Sequence, residues 1–82
     1  MPYIPQDDRK NAAPVLRYPA DTSGELNFQF TQLIVAYMRR HGKCYATMND
    51  IVGALEGAKS EFQRRVVGPY EDTKIKENGD VY

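Results

Sequence analysis

Cationic and aromatic side chains gather in the last third of this 82-residue chain. Lys59, Arg64 and Arg65 lie close together, Tyr70 follows them, and Lys74 and Lys76 come just beyond. An arginine guanidinium is a planar fork that matches phosphate oxygens, and a tyrosine ring offers a face on which a base can stack. Lys59, Arg64, Arg65 and Tyr70 are therefore the candidate ligand-binding residues, and the chemistry they suit is a phosphate-bearing nucleotide. The same cations also stand at i,i+3 and i,i+4 from Glu56 and Glu61. That spacing equally suits a solvated helix face whose ion pairs contribute only a few tenths of a kcal/mol each.

The carboxylates point to no reaction. All-α nucleotide hydrolases hold magnesium with acids at i and i+3 or i+4 on facing helices. Here Glu25 stands alone in the first apolar-periodic segment, while Glu56 and Glu61 are five apart in the second. Five helical positions turn through about 140°, so those two do not share a face. A magnesium-dependent hydrolase would need Glu25, Glu56 and Glu61 to gather across a hairpin, and it stands as the alternative. Nucleophilic catalysis fares worse, because His41 is the single histidine and Cys44 the single cysteine. A catalytic base needs a third group to orient it, and none is in evidence. We expect no catalytic residues, no metal ligands and no cofactor.

Positioning the cations requires helices. Thr22 and Glu25 have the spacing of a capping box. Leu26, Phe30, Leu33, Ile34, Tyr37 and Met38 then recur at steps of three and four, the mark of one buried helical stripe. Arg39, Arg40 and His41 suit the last turn, and Gly42 the stop. The spacing predicts a helix over 23–41. Gly42 to Thr47 reads as a short turn with Tyr45 folded back as a plug. Thr47 and Asp50 repeat the capping pattern, and Met48, Ile51, Val52, Leu55, Ala58, Phe62 and Val66 mark a second helix over 48–67. A connection this short makes the two helices an antiparallel hairpin.

Gly68-Pro69 interrupts the periodicity. Either a short third helix begins at Pro69 and spans 69–77, or the second helix continues through a kink; Asn78-Gly79 ends it in both cases. Upstream, residues 1–22 hold Pro2, Pro5, Pro14 and Pro19 and read as an arm with one short helical turn after Pro5. The organisation is a single domain, 1–82, made of the arm (1–22), the hairpin (23–67) and a C-terminal helical segment (68–82).

Gly53-Ala54 and Gly57-Ala58 put small residues on the second helix. Glycine costs about 1 kcal/mol there against alanine, so a close neighbour is implied. That neighbour is either the first helix of the same chain or the same face of another subunit. Phe28, on the polar side of the first helix, is left for an interchain contact. Phe28, Gly53, Ala54, Gly57 and Ala58 are thus the candidate interface. Eighty-two residues make a marginal core, and one cysteine allows no intrachain disulfide, so self-association is the remaining support. We expect a homo-oligomer built on a dimer.

Composition narrows the partners. Eleven cationic and eleven acidic residues give zero formal net charge, which argues against a general nucleic-acid binder. No apolar run approaches the roughly 20 residues of a membrane span. The start Met-Pro-Tyr-Ile-Pro-Gln-Asp-Asp has neither a basic beginning nor an apolar signal core, so a cytoplasmic setting without membrane contact is expected.

The blocks Tyr3-Ile4-Pro5-Gln6, Gly24-Glu25-Leu26-Asn27, Asn49-Asp50-Ile51-Val52-Gly53-Ala54-Leu55-Glu56 and Arg64-Arg65-Val66-Val67-Gly68-Pro69-Tyr70-Glu71-Asp72 resemble a family of small bacteriophage and prophage proteins. Tyr45-Ala46 and the closing Glu77-Asn78-Gly79-Asp80-Val81-Tyr82 are similar as well. The resemblance implies a viral origin and expression in a host cytoplasm. Short phage proteins of this kind often bind a host defence protein or sequester a signalling nucleotide, without catalysis. The expectation is therefore an all-α binding protein of counter-defence. A virion assembly factor is a further alternative.

Overall fold

The computed structural model describes residues 18–82 together with Gln6. Helix α1 spans Ser23–His41, α2 Tyr45–Phe62 and α3 Gly68–Asn78, and a π turn at Gln63–Val67 joins α2 to α3. No strand occurs among the described residues. The expected all-α helical hairpin is the observed architecture. Of the helical turn expected after Pro5 only Gln6, in a 3-10 conformation, is among the described residues; the rest lies outside them.

Helix α1 keeps the bounds that its caps dictate. The Thr22 hydroxyl accepts the Glu25 N–H at 3.1 Å, and the Glu25 carboxylate accepts the Asp21 N–H at 2.8 Å. The return bond of the capping box has moved one residue upstream, yet both exposed donors are satisfied. Removing such a cap costs about 1 kcal/mol. At the other end Gly42 adopts φ 93°, a conformation a Cβ would resist. Its N–H closes on the Met38 carbonyl at 2.8 Å.

Helix α2 begins earlier than the sequence pattern predicts. Its first residue is Tyr45, preceded by Cys44 in extended conformation without a side-chain cap. Tyr45 is no plug: it is 86% exposed. Thr47 and Asp50 do not form a capping pair either, because Met48 N–H already bonds to the Cys44 carbonyl at 3.0 Å. The two side chains are used elsewhere. Thr47, 3% exposed, is the buried polar residue under the hairpin turn and lies 3.4 Å from Cys44 Sγ. Asp50 accepts the Tyr37 hydroxyl at 2.9 Å and ties α2 to α1.

Between the two readings at Pro69, the structure takes the continuous one. Proline has no N–H, and its ring collides with the carbonyl four residues back in a regular helix. The chain answers by widening one turn. Gly68 N–H bonds to the Gln63 carbonyl, five residues back, where a regular helix would reach Arg64. A Cβ at Gly68 would stand 3.3 Å from that same oxygen, so glycine fits the close approach. The second helix thus does not stop at Val67, and no break separates α3, which ends at Gly79.

The hairpin is sparsely packed. Ile34, Val35, Met38 and Ile51 are half-buried, and no apolar side chain among the described residues is fully buried. Antiparallel α1 and α2 meet at the turn but leave their apolar stripes largely uncovered.

Candidate functional site

Two surfaces have the makings of a site. The first is the surface of the long α2–α3 rod around the π turn. Arg64 and Arg65 lie within the widened turn, and Tyr70 follows one turn later on α3. Arg64 is paired with Glu61, its Nη2 standing 3.0 Å from Oε2 and 3.4 Å from Oε1. Both residues lie near the surface, so this i,i+3 pair contributes little stability. Lys74 Nζ sits 5.5 Å from the centre of the Tyr70 ring and 3.3 Å from Glu77 Oε2. Lys59 and Arg65 form no ion pair with any described residue. Lys59, Arg64, Arg65 and Tyr70 are all exposed. The structure thus puts the four predicted ligand residues on one continuous rod without giving them a common face, since Lys59 and Arg64, like Arg65 and Tyr70, are five positions apart. Arg64 is engaged locally, and Tyr70 carries a cation on its ring.

The predicted acids are not brought together. Glu25 serves the start of α1, and Glu61 holds Arg64. Among the described residues no three of His, Cys, Asp and Glu cluster as metal ligands would. His41 stacks against Tyr37 with ring centres 4.3 Å apart, which gives it a packing role at the end of α1. The Thr47 hydroxyl beside Cys44 lowers the thiol pKa below its ordinary value, backbone N–H groups adding to the effect.

The second surface is an open groove of about 370 Å³ between α1 and α2. Phe30, Leu33, Ile34 and Tyr37 form one wall; Ile51, Ala54, Leu55 and Ala58 form the other. Each set follows the spacing i, i+3, i+4, i+7, so each is one face of its helix. Asp50 marks the closed end, and its bond with Tyr37 raises the tyrosine pKa, with desolvation and the carboxylate charge adding to the shift. The groove divides the predicted interface residues. Ala54 and Ala58 line it beside Phe30 and Tyr37 of the same chain. Phe28 is 60% exposed and lies on the opposite side of α1 by helical periodicity. Gly53 has open space where a Cβ would stand, so nothing in the described residues explains its small size. Residue types alone did not reveal the groove, although the matched spacings of the two apolar stripes were there to be compared.

No curated protein and no solved structure matches this chain. A family model does match residues 1–81, described as Domain of unknown function (DUF6899). The chain belongs to that family.

Proposed function

We propose that this DUF6899 chain is a non-enzymatic binding protein that captures a phosphate-bearing signalling nucleotide on the surface of its long helix around the π turn. The observation that carries the proposal is the placement of Arg64 and Arg65 inside a π turn, with Tyr70 about one turn beyond and Lys74 over its ring. Widened turns are frequent at functional positions, and this one also relieves the clash of the Pro69 ring. Arg65 and Lys59 are open to an incoming phosphate. Arg64 would exchange Glu61 for it, and Tyr70 would exchange Lys74 for a base. The scattered carboxylates fit capture better than hydrolysis. Counter-defence in a bacterial host is the setting that the resemblance to phage proteins supplies.

Titration calorimetry against a panel of cyclic and linear nucleotides tests this reading. Replacing Arg64 and Arg65 together by alanine should weaken binding about 100-fold, as two charge-assisted contacts would. Unchanged binding in the double variant overturns the reading.

A second reading, a host protein as target, is favoured by a separate observation. Phe62, Val66 and Tyr70 are all exposed and step along the same rod. An apolar stripe beside arginines is the composition of a protein-binding patch. Capture of one defined host protein, lost on Phe62→Glu and retained in the arginine double variant, would make it the better account.

A further inference from the structure

We propose that a second copy of this chain fills the α1/α2 groove, two hairpins closing into a four-helix bundle about a two-fold axis. This rests on the groove alone and stands apart from the nucleotide reading.

The size of the uncovered surface is the first argument. Leu26, Phe30, Leu33, Tyr37, Leu55 and Phe62 fall on the groove side by helical periodicity and are 38% to 57% exposed. At roughly 200 Å² for a large side chain, that is on the order of 90 Å² each and about 500 Å² together. A standard interface takes about 800 Å² from each partner, so the groove side supplies well over half of one. Left in water, the same side chains match in size the largest apolar patch of a typical monomer, which is often an interaction site.

The pattern of the walls is the second argument. An isologous contact brings one surface against its own copy, so each patch must complement itself. The α1 wall is large, with Phe30, Leu33 and Tyr37, while the α2 wall carries the small Ala54 and Ala58. A two-fold axis parallel to the helices sets the large wall of one chain against the small wall of the other. Both walls share the i, i+3, i+4, i+7 spacing that helices of a bundle present to a common core. Charge offers no opposition. The chain is formally neutral, and Asp50, at the closed end of the groove, already accepts the Tyr37 hydroxyl. The arrangement also relocates the contact: Ala54 and Ala58 belong to it, whereas Phe28 and Gly53 face away.

Sedimentation equilibrium of the full chain, from low to high micromolar concentration, reads the assembly. The expected species has twice the 9.4 kDa of one chain. Ala54→Glu places a carboxylate in the groove with only a small loss of helix propensity and should weaken dimerisation at least about 100-fold, the cost of an unpaired charge in a buried interface. Phe28→Glu, on the opposite face, should leave the dimer unchanged. A wild-type monomer at every concentration overturns the proposal, as does dissociation by Phe28→Glu with Ala54→Glu still dimeric. Should Ala54→Glu lose its helical circular dichroism, a mixed-label NMR sample of wild-type protein decides. Contacts from the Phe30 and Tyr37 rings of one chain to the Ile51 and Leu55 methyls of another support the bundle. Intrachain contacts alone, or contacts from Val15 and Leu16 of the same chain, overturn it.

Discussion

At its closed end the α1/α2 hairpin is pinned by polar contacts, whereas toward its open end the facing helices present apolar side chains that nothing in the described chain covers. Thr47 is buried under the turn, Cys44 lies against it, and Tyr37 donates to Asp50 across the two helices. Further along, Phe30, Leu33 and Leu55 line an open groove. Hydrogen bonds are directional, so a few of them fix how two helices leave a turn. Each adds only about 1 kcal/mol net. Apolar burial stabilises more, at about 25 cal/mol per Å², and within one hairpin it is hardly collected. The closed end sets geometry; the open end holds the stability still to be gained.

The largest effect should come from the open end. Leu33→Ala should destabilise the assembled protein by about 2–4 kcal/mol, as for a leucine in a packed core. A groove that stays open to water would lose less than about 1 kcal/mol instead. Urea unfolding at high protein concentration separates the two, and a small loss would break the contrast between the ends.

The closed end should respond through pH. Because Asp50 raises the Tyr37 pKa in the folded chain, the fold favours the protonated phenol. This contribution is fully present below the unfolded value near 10 and is lost as pH rises through the folded one. Thermal melts of wild type taken from neutral to strongly alkaline pH should therefore fall more steeply than those of Tyr37→Phe. Parallel curves would remove the Tyr37–Asp50 bond from the description of this end.

The smallest effect concerns Gly53, on the side of α2 turned away from the groove. With open space at its Cβ position, Gly53→Ala should stabilise the helix by about 0.5–1 kcal/mol. Destabilisation would show that a close neighbour sits there, and would move the interface to the opposite face.

These contrasts also mark what residue patterns disclose. The bounds of α1 were legible because Thr22, Glu25 and Gly42 act locally, through bonds within one turn. The start of α2 was misread because Thr47 and Asp50 have cap spacing but are claimed by contacts with Cys44 and Tyr37, and tertiary demands override local ones. The π turn had only Gly68-Pro69 to announce it. Proline indicates that a regular helix is disturbed there, but a break, a kink and a widened turn all relieve the same clash. For the candidate site, the types Lys59, Arg64, Arg65 and Tyr70 were legible, while the Glu61 and Lys74 contacts that occupy two of them depend on rotamers. The groove was hidden for a different reason. A period of 3.6 shows that a face is apolar without showing what covers it.

The most direct test of whether these helices need a partner to complete their core is the concentration dependence of the melting temperature, followed by circular dichroism on the full chain. Coupled folding and association makes the melting temperature rise with protein concentration. A steady rise from low to high micromolar concentration is the predicted result. A cooperative transition whose midpoint does not move would show that one chain folds by itself, and would contradict a core completed between copies.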